Sequence, residues 1–197
     1  TVHVLNNIVI PRADYMRNGI QVSGDNSTII GNTVASAPLT ADWAGTAIHV
    51  VNASNVLVKN NTITGSANVG IGISNYNDTL VSGVTVEGNT VSGVSSAVSI
   101  QGGPDATGKI VSNVTIKSNN FSDAAVGIDV AYVTLAGANV IELNQLPVSD
   151  YYMAIWVEGY PSWGYPGSIV TGTIDFSPNW FGSPAVPDLT KFYDDNL

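Results

Sequence analysis

The sequence predicts an all-β chain wound as a single-stranded parallel β-helix of about six to seven coils, each coil built from three short strands. Three observations carry this reading. One frame of residues recurs along the chain, a second apolar-x-apolar strand lies between consecutive copies, and no sustained 3.6-residue apolar stripe competes with the two-residue alternation.

The frame reads apolar-x-apolar-x-x-Asn-x-apolar. In chain order its copies are Val2/Val4/Asn7/Val9, Ser27/Ile29/Asn32/Val34, Val56/Val58/Asn61/Ile63, Val84/Val86/Asn89/Val91, Val114/Ile116/Asn119/Phe121, Asn139/Ile141/Asn144/Leu146 and Ile174/Phe176/Asn179/Phe181. Ser27 and Asn139 stand where the frame calls for an apolar residue. The Asn-to-Asn steps are 25, 29, 28, 30, 25 and 35 residues, with the variable length outside the frame, so insertions fall in loops. Between the frames come Ile20/Val22, Ile48/Val50, Ile71/Ile73, Val98/Ile100, Ile128/Val130 and Ile155/Val157.

Alternation of period two puts the named residues on one face of each strand. Three short strands cannot bury that face alone, whereas copies stacked about 4.8 Å apart enclose a continuous core. The recurrent Asn suits a corner, because it tolerates the left-handed conformation and its amide can bond to the Asn one rung on. An asparagine ladder of Asn7, Asn32, Asn61, Asn89, Asn119, Asn144 and Asn179 is therefore expected.

These frames resemble the right-handed parallel β-helix repeats of the pectate-lyase-like superfamily over residues 2–182, and the right hand agrees with the general preference of parallel crossovers. The last copy, Ile174-Asp175-Phe176-Ser177-Pro178-Asn179-Trp180-Phe181-Gly182-Ser183-Pro184, resembles the Asn-Trp-Trp-Gly segment of archaeal and bacterial β-helix surface proteins, with Phe181 in place of the second Trp. Residues 1–182 are read as the β-helix domain. Residues 183–197 are read as an acidic C-terminal tail or cap, too polar for another rung.

Composition narrows the function. Fifteen acidic against six basic side chains give a formal charge of −9, which disfavours a phosphate polymer as partner. Apolar runs such as Val126 to Val133 fall short of the ~20 residues a membrane span requires. The absence of cysteine removes disulfides, thiolate zinc sites and a thiol nucleophile. The first residues, Thr-Val-His-Val, contain no signal region, and Val2 is already in the frame. We therefore expect a processed or excised chain whose first rung is open.

The resemblance implies polysaccharide lyases and polygalacturonases, which gather Asp, calcium and Arg or Lys on one external face. Their Asn-Thr-Asp, Gly-His-Gly and Arg-Ile-Lys sequences do not occur here. One outward column reads Gln21, His49, Gly72, Ser99, Asp129 and Trp156. His49 and Asp129 are its candidates for catalysis, but three rungs separate them by ~14 Å. No metal site and no cofactor is expected. Calcium alone stays open, because Asp14, Asp25, Asp42, Asp78, Asp105 and Asp123 fall mostly in loops and carry hard oxygen ligands.

Residues 151–193 hold 11 of the 16 aromatics. Trp156, Tyr160, Trp163 and Tyr165 suit sugar stacking or a protein interface, or else a cap over the end of the core. Six Asn-x-Ser/Thr sequons, at Asn26, Asn52, Asn60, Asn77, Asn113 and Asn120, are candidate glycosylation sites. Together these features favour a secreted or cell-surface structural solenoid that is not an enzyme. It would form a homo-oligomer or polymer through open ends, as part of a filament, sheath, surface layer or adhesin. Head-to-tail stacking would set Asp175 of one copy beside His3 of the next. The alternative is a polysaccharide-binding or polysaccharide-cleaving lyase or hydrolase.

Overall fold

Copies of the frame stack as parallel strands in the computed structural model, which describes residues 1–10, 18–36, 45–65, 67–77, 79–102, 109–147, 151–156, 172–176, 178–181 and 189–194. The first sheet holds His3–Leu5, Thr28–Ile30, Leu57–Lys59, Thr85–Glu87, Thr115–Lys117 and Val140–Glu142. The second holds Ile8–Val9, Thr33–Ser36, Thr62–Gly65, Thr90–Ser92 and Asn120–Asp123. The third holds Asn18–Val22, Thr46–Val51, Val69–Asn75, Ser96–Gly102, Val126–Ala131, Tyr151–Trp156 and Phe192–Asp194. Among the described residues five coils contribute a strand to all three sheets, slightly fewer than the six to seven expected.

The core is a set of columns one residue wide. Ile29, Val58, Val86, Ile116 and Ile141 lie in register through the first sheet, and all are buried. Val34, Ile63 and Val91 do the same in the second, with Phe121 buried beyond them. Ile48, Ile71, Val98 and Ile128 form one of the two inward columns of the third. Each such side chain contributes roughly 1.5–3 kcal/mol when taken out of water.

A fourth, short sheet of Val81–Ser82, Ile110–Ser112 and Thr134–Ala136 departs from three strands per coil. Its inward residues, Val81, Val111 and Leu135, are buried. One inward residue per strand leaves no alternation to read, which is why the sequence does not announce this sheet.

The seven asparagines form one continuous ladder. Each of the first six donates both its backbone N–H and its Nδ2–H to Oδ1 of the asparagine on the next rung, at 2.8–3.0 Å. From Asn32 onward, Nδ2 also donates backwards to Val4, Ile29, Val58, Val86, Ile116 and Ile141 carbonyls in turn, at 2.7–3.0 Å. Asn32, Asn61, Asn89, Asn119 and Asn144 are buried, so each interior carboxamide accepts two bonds and donates two out of reach of water.

The corner conformation belongs to a different residue than expected. The left-handed φ falls on the residue before the ladder asparagine: Asn6, Gly31, Asn60, Gly88, Ser118 and Leu143, with φ between 53° and 68°. That residue turns the chain between the first and second sheets, which aims the next side chain inward. Four of the glycines with positive φ carry a second constraint. A Cβ on Gly88 would lie 2.5 Å from Asn60 Oδ1, and one on Gly83 2.7 Å from Asn55 Oδ1. Asn6 stands in the same relation to Gly31, and Asn113 to Gly137.

The two polar exceptions to the frame take backbone donors from the rung before. Buried Ser27 Oγ accepts from Val2 N–H at 2.8 Å, and buried Asn139 Oδ1 from Val114 N–H at 3.1 Å. The acidic tail, expected to be too polar for a rung, supplies a seventh strand to the third sheet, pairing Phe192, Tyr193 and Asp194 with Met153, Ala154 and Ile155. One inward apolar residue is enough there, because Phe192 meets the rings of Tyr152 and Phe176 at 5.5 and 5.1 Å.

Asn89→Ala removes the acceptor for both donors of Asn61, each buried orphan costing about 1–3 kcal/mol. A loss of roughly 2–5 kcal/mol in chemical denaturation is expected. Gly88→Ala destabilises through both φ and the Asn60 contact, and Asn60→Ala through its own left-handed φ, so the double variant should lose less than the sum of the two single losses. A strictly additive double-mutant cycle would contradict that contact.

Candidate functional site

The third sheet carries the side chains with most chemical potential on its outward face. Along one column the register is Gln21, His49, Gly72, Ser99, Asp129 and then Ala154. Trp156 pairs instead with Ala131, two residues from the position expected of it. Met153 and Ile155, rather than the Ile155 and Val157 expected, pair with Ile128 and Val130. A two-residue slip keeps every side chain on its proper face, so alternation alone cannot detect it.

Around His49 this outward face is buried, while Gln21 at one end of the column is exposed and Asp129 half-buried. His49 is 7% exposed, Ser74 0%, and Thr46 and Ser99 are also buried. The imidazole leans over the next rung, where Gly72 leaves room: a Cβ there would lie 2.9 Å from His49 Cδ2 and 3.1 Å from Thr46 Cγ2. His49 Nε2 and Ser74 Oγ are 2.7 Å apart. Gln101 Nε2, one rung further, donates to Ser74 Oγ at 3.3 Å and to Tyr76 Oη at 2.8 Å. Tyr76 meets the His49 ring edge-on, with centroids 6.1 Å apart, and its backbone N–H donates to Asn52 Oδ1 at 2.7 Å.

The His49–Ser74 distance is that of a base and a nucleophile. Two features argue for a lock instead. Ser74 has no exposed surface for a substrate to reach, and His49 Nδ1 is buried with no hydrogen-bond partner among the described residues to orient the ring. Burial holds the imidazole neutral, lowering its pKa to about 4. Asp129 lies three rungs from His49, ~14 Å away, so the two candidates are not brought together. The Ser74–Gln101–Tyr76 network escaped the sequence reading because Ser74 and Gln101 sit two residues, and Tyr76 four, along from the His49 column. Reading that neighbouring outward column would have found Ser74 and Gln101.

On the first sheet, Lys59, Glu87, Lys117 and Glu142 stand in register and alternate in charge. Lys59 Nζ is 2.8 Å from Glu87 Oε1, and Lys117 Nζ is 3.8 Å from Oε2. The hydrogen bond from Lys59, helped by the charge of Lys117, holds the Glu87 carboxyl below its ordinary range.

Tyr160, Trp163 and Tyr165 lie outside the described residues. The aromatics that are described at this end divide. Tyr152, Phe176, Phe181 and Phe192 close over the core, with Tyr152 and Phe181 centroids 4.6 Å apart, whereas Trp180 is 47% exposed. Asp14, Asp42, Asp78 and Asp105 also lie outside the described residues. Asp25 Oδ1 accepts from Ser54 N–H at 2.7 Å, and no group of three His, Cys, Asp or Glu gathers among the described residues. No helix among them is long and apolar enough to cross a membrane. Of the sequons, Asn26, Asn60, Asn77 and Asn113 are exposed, while Asn52 and Asn120 are half-buried.

A family model described as a right-handed β-helix region matches residues 2–162. No curated protein and no solved structure matches the chain.

Because His49 binds its proton less readily folded than unfolded, falling pH favours the unfolded chain between about 6.5 and about 4. Stability should fall by up to about 3 kcal/mol across that window. Glu87 adds its own loss only below its ordinary value of 4.5. Denaturation profiles of His49→Gln should be flatter between pH 6.5 and 4; a slope equal to that of the parent would contradict the buried neutral imidazole.

Proposed function

The chain belongs to the right-handed β-helix family, and from that premise we propose that it is a non-enzymatic structural rod. In this reading it works outside the cell or on its surface, as part of a filament, sheath, surface layer or adhesive stalk.

One observation carries the reading: the polar side chains are bonded along the rod axis, from rung to rung. The asparagine ladder is the continuous case. His3 Nδ1 to Thr28 Oγ1 (2.8 Å), Lys59 to Glu87 (2.8 Å), Ser112 Oγ to Ser82 Oγ (2.9 Å), Asp25 to Ser54 (2.7 Å) and His49 to Ser74 (2.7 Å) all join neighbouring rungs. A load along the axis must break these together with the backbone bonds of the same layer. Such cooperation suits a load-bearing element.

In this reading copies associate head to tail, a contact that propagates without closing.

Polysaccharide binding is the second reading, favoured by Tyr76. Tyr76 is 42% exposed, yet Gln101 holds its hydroxyl, His49 meets its ring and Asn52 holds its backbone N–H, an arrangement suited to stacking on a sugar.

Electron microscopy of the purified chain, beside a glycan-depolymerisation screen with and without calcium, separates the two. We expect ordered assemblies and no new reducing or unsaturated ends. Dispersed monomers that release such ends would overturn the structural reading.

A further inference from the structure

The six sequons are equivalent in sequence, but the fold treats their carboxamides in two ways. At Asn52, Oδ1 accepts from the backbone N–H groups of Tyr76 and Asn77, at 2.7 and 3.2 Å. At Asn113, Nδ2 donates to Ser82 Oγ at 3.1 Å while Oδ1 accepts from Ala138 N–H at 3.1 Å. At Asn120, Oδ1 accepts from Ser122 N–H at 3.1 Å and from Ser122 Oγ at 2.7 Å. These three carboxamides hold turns or tie rungs together, and Asn52 and Asn120 are half-buried as well.

Asn26, Asn60 and Asn77 differ. All three are exposed, and none donates from Nδ2 to another group among the described residues. Asn26 uses only its oxygen, which accepts from Asn55 Nδ2 at 3.3 Å. Asn60 likewise sets its oxygen over the bare Cα of Gly88, which turns its nitrogen away from the neighbouring rung. In the Asn-linked product the carboxamide keeps its oxygen and one N–H, so both contacts survive the modification.

We propose that the folded rod carries asparagine-linked glycans at Asn26, Asn60 and Asn77, and at none of Asn52, Asn113 and Asn120. The donor is an oligosaccharide joined to a lipid through diphosphate. A bond forms between Nδ2 and the anomeric carbon as the bond from that carbon to the diphosphate oxygen breaks. The lipid diphosphate leaves, and the amide nitrogen gives up one of its two protons to a base of the transferase; no oxidation or reduction is involved. A bulky glycan is tolerated where the folded surface leaves room for it. At Asn113 it would take the nitrogen that donates to Ser82, and at Asn52 and Asn120 it would have to enter a half-buried position, so molecules modified at these three would fail to stack their rungs.

The proposal rests on the extracellular placement in the reading above. Its test imposes that placement, so the site assignment stands or falls separately from the structural role. The chain is expressed with a secretion signal in a eukaryotic cell, and the secreted, folded protein is treated with peptide N-glycosidase in ¹⁸O-water. Peptide mass mapping then marks each formerly modified Asn as ¹⁸O-labelled Asp. The expected result is label at Asn26, Asn60 and Asn77 alone. Asn26→Asp, Asn60→Asp and Asn77→Asp, which place there the residue that deglycosylation itself leaves, each remove one glycan from the intact mass. Label on Asn52, Asn113 or Asn120, or its absence from any of the other three, overturns the proposal.

Discussion

A carboxamide buried in a dry corner has four hydrogen-bonding valences to fill, and that requirement governs the rest of the molecule. In Asn61 and Asn89 all four are filled, by partners on the rungs before and after. The geometry works only if consecutive rungs lie one strand spacing apart, in register and parallel. Any other register would strand two donors and an acceptor at every corner, at about 1–3 kcal/mol for each group. The length variation of the repeat therefore has to fall outside the frame. Steps of 25 to 35 residues between ladder positions do so while the frame keeps its spacing.

The same periodicity decides what was legible in the sequence. A column that must match on every rung leaves a mark on every rung, so the apolar columns and the ladder positions could be read directly. Features that need no such repetition could not. The left-handed φ is met by Asn, Gly, Ser and Leu at different rungs of the same corner, so no single residue type flags it. The fourth sheet contributes one buried apolar residue per strand, and Phe192 enters the third sheet beyond the last frame. The placement of Trp156 fails for a subtler reason, because Met153-Ala-Ile155 and Ile155-Trp-Val157 alternate equally well. Only pairing with Ile128 and Val130 distinguishes them.

Burial around His49, on the outward face of the third sheet, changes how the residues there are understood. A histidine on a surface strand is available for chemistry; His49 is enclosed, neutral and held to Ser74. The polar groups there bond to the next rung, as the asparagines do inside and the Lys59–Glu87–Lys117 column does on the first sheet. Inside and outside thus share one mechanical logic, in which side chains reinforce the parallel backbone bonds along the axis. Membership of the right-handed β-helix family sets the scaffold, while the functional reading rests on where these particular bonds run.

The most direct measurement is hydrogen exchange at the side-chain carboxamides themselves, followed by NMR on selectively ¹⁵N-asparagine-labelled protein. Both Nδ2 protons of Asn32, Asn61, Asn89, Asn119 and Asn144 should exchange as slowly as the backbone amides of the core, while those of Asn60 and Asn77 exchange within the dead time. Ladder carboxamides that exchange as fast as Asn60 would show that the buried amides do not hold the rungs together.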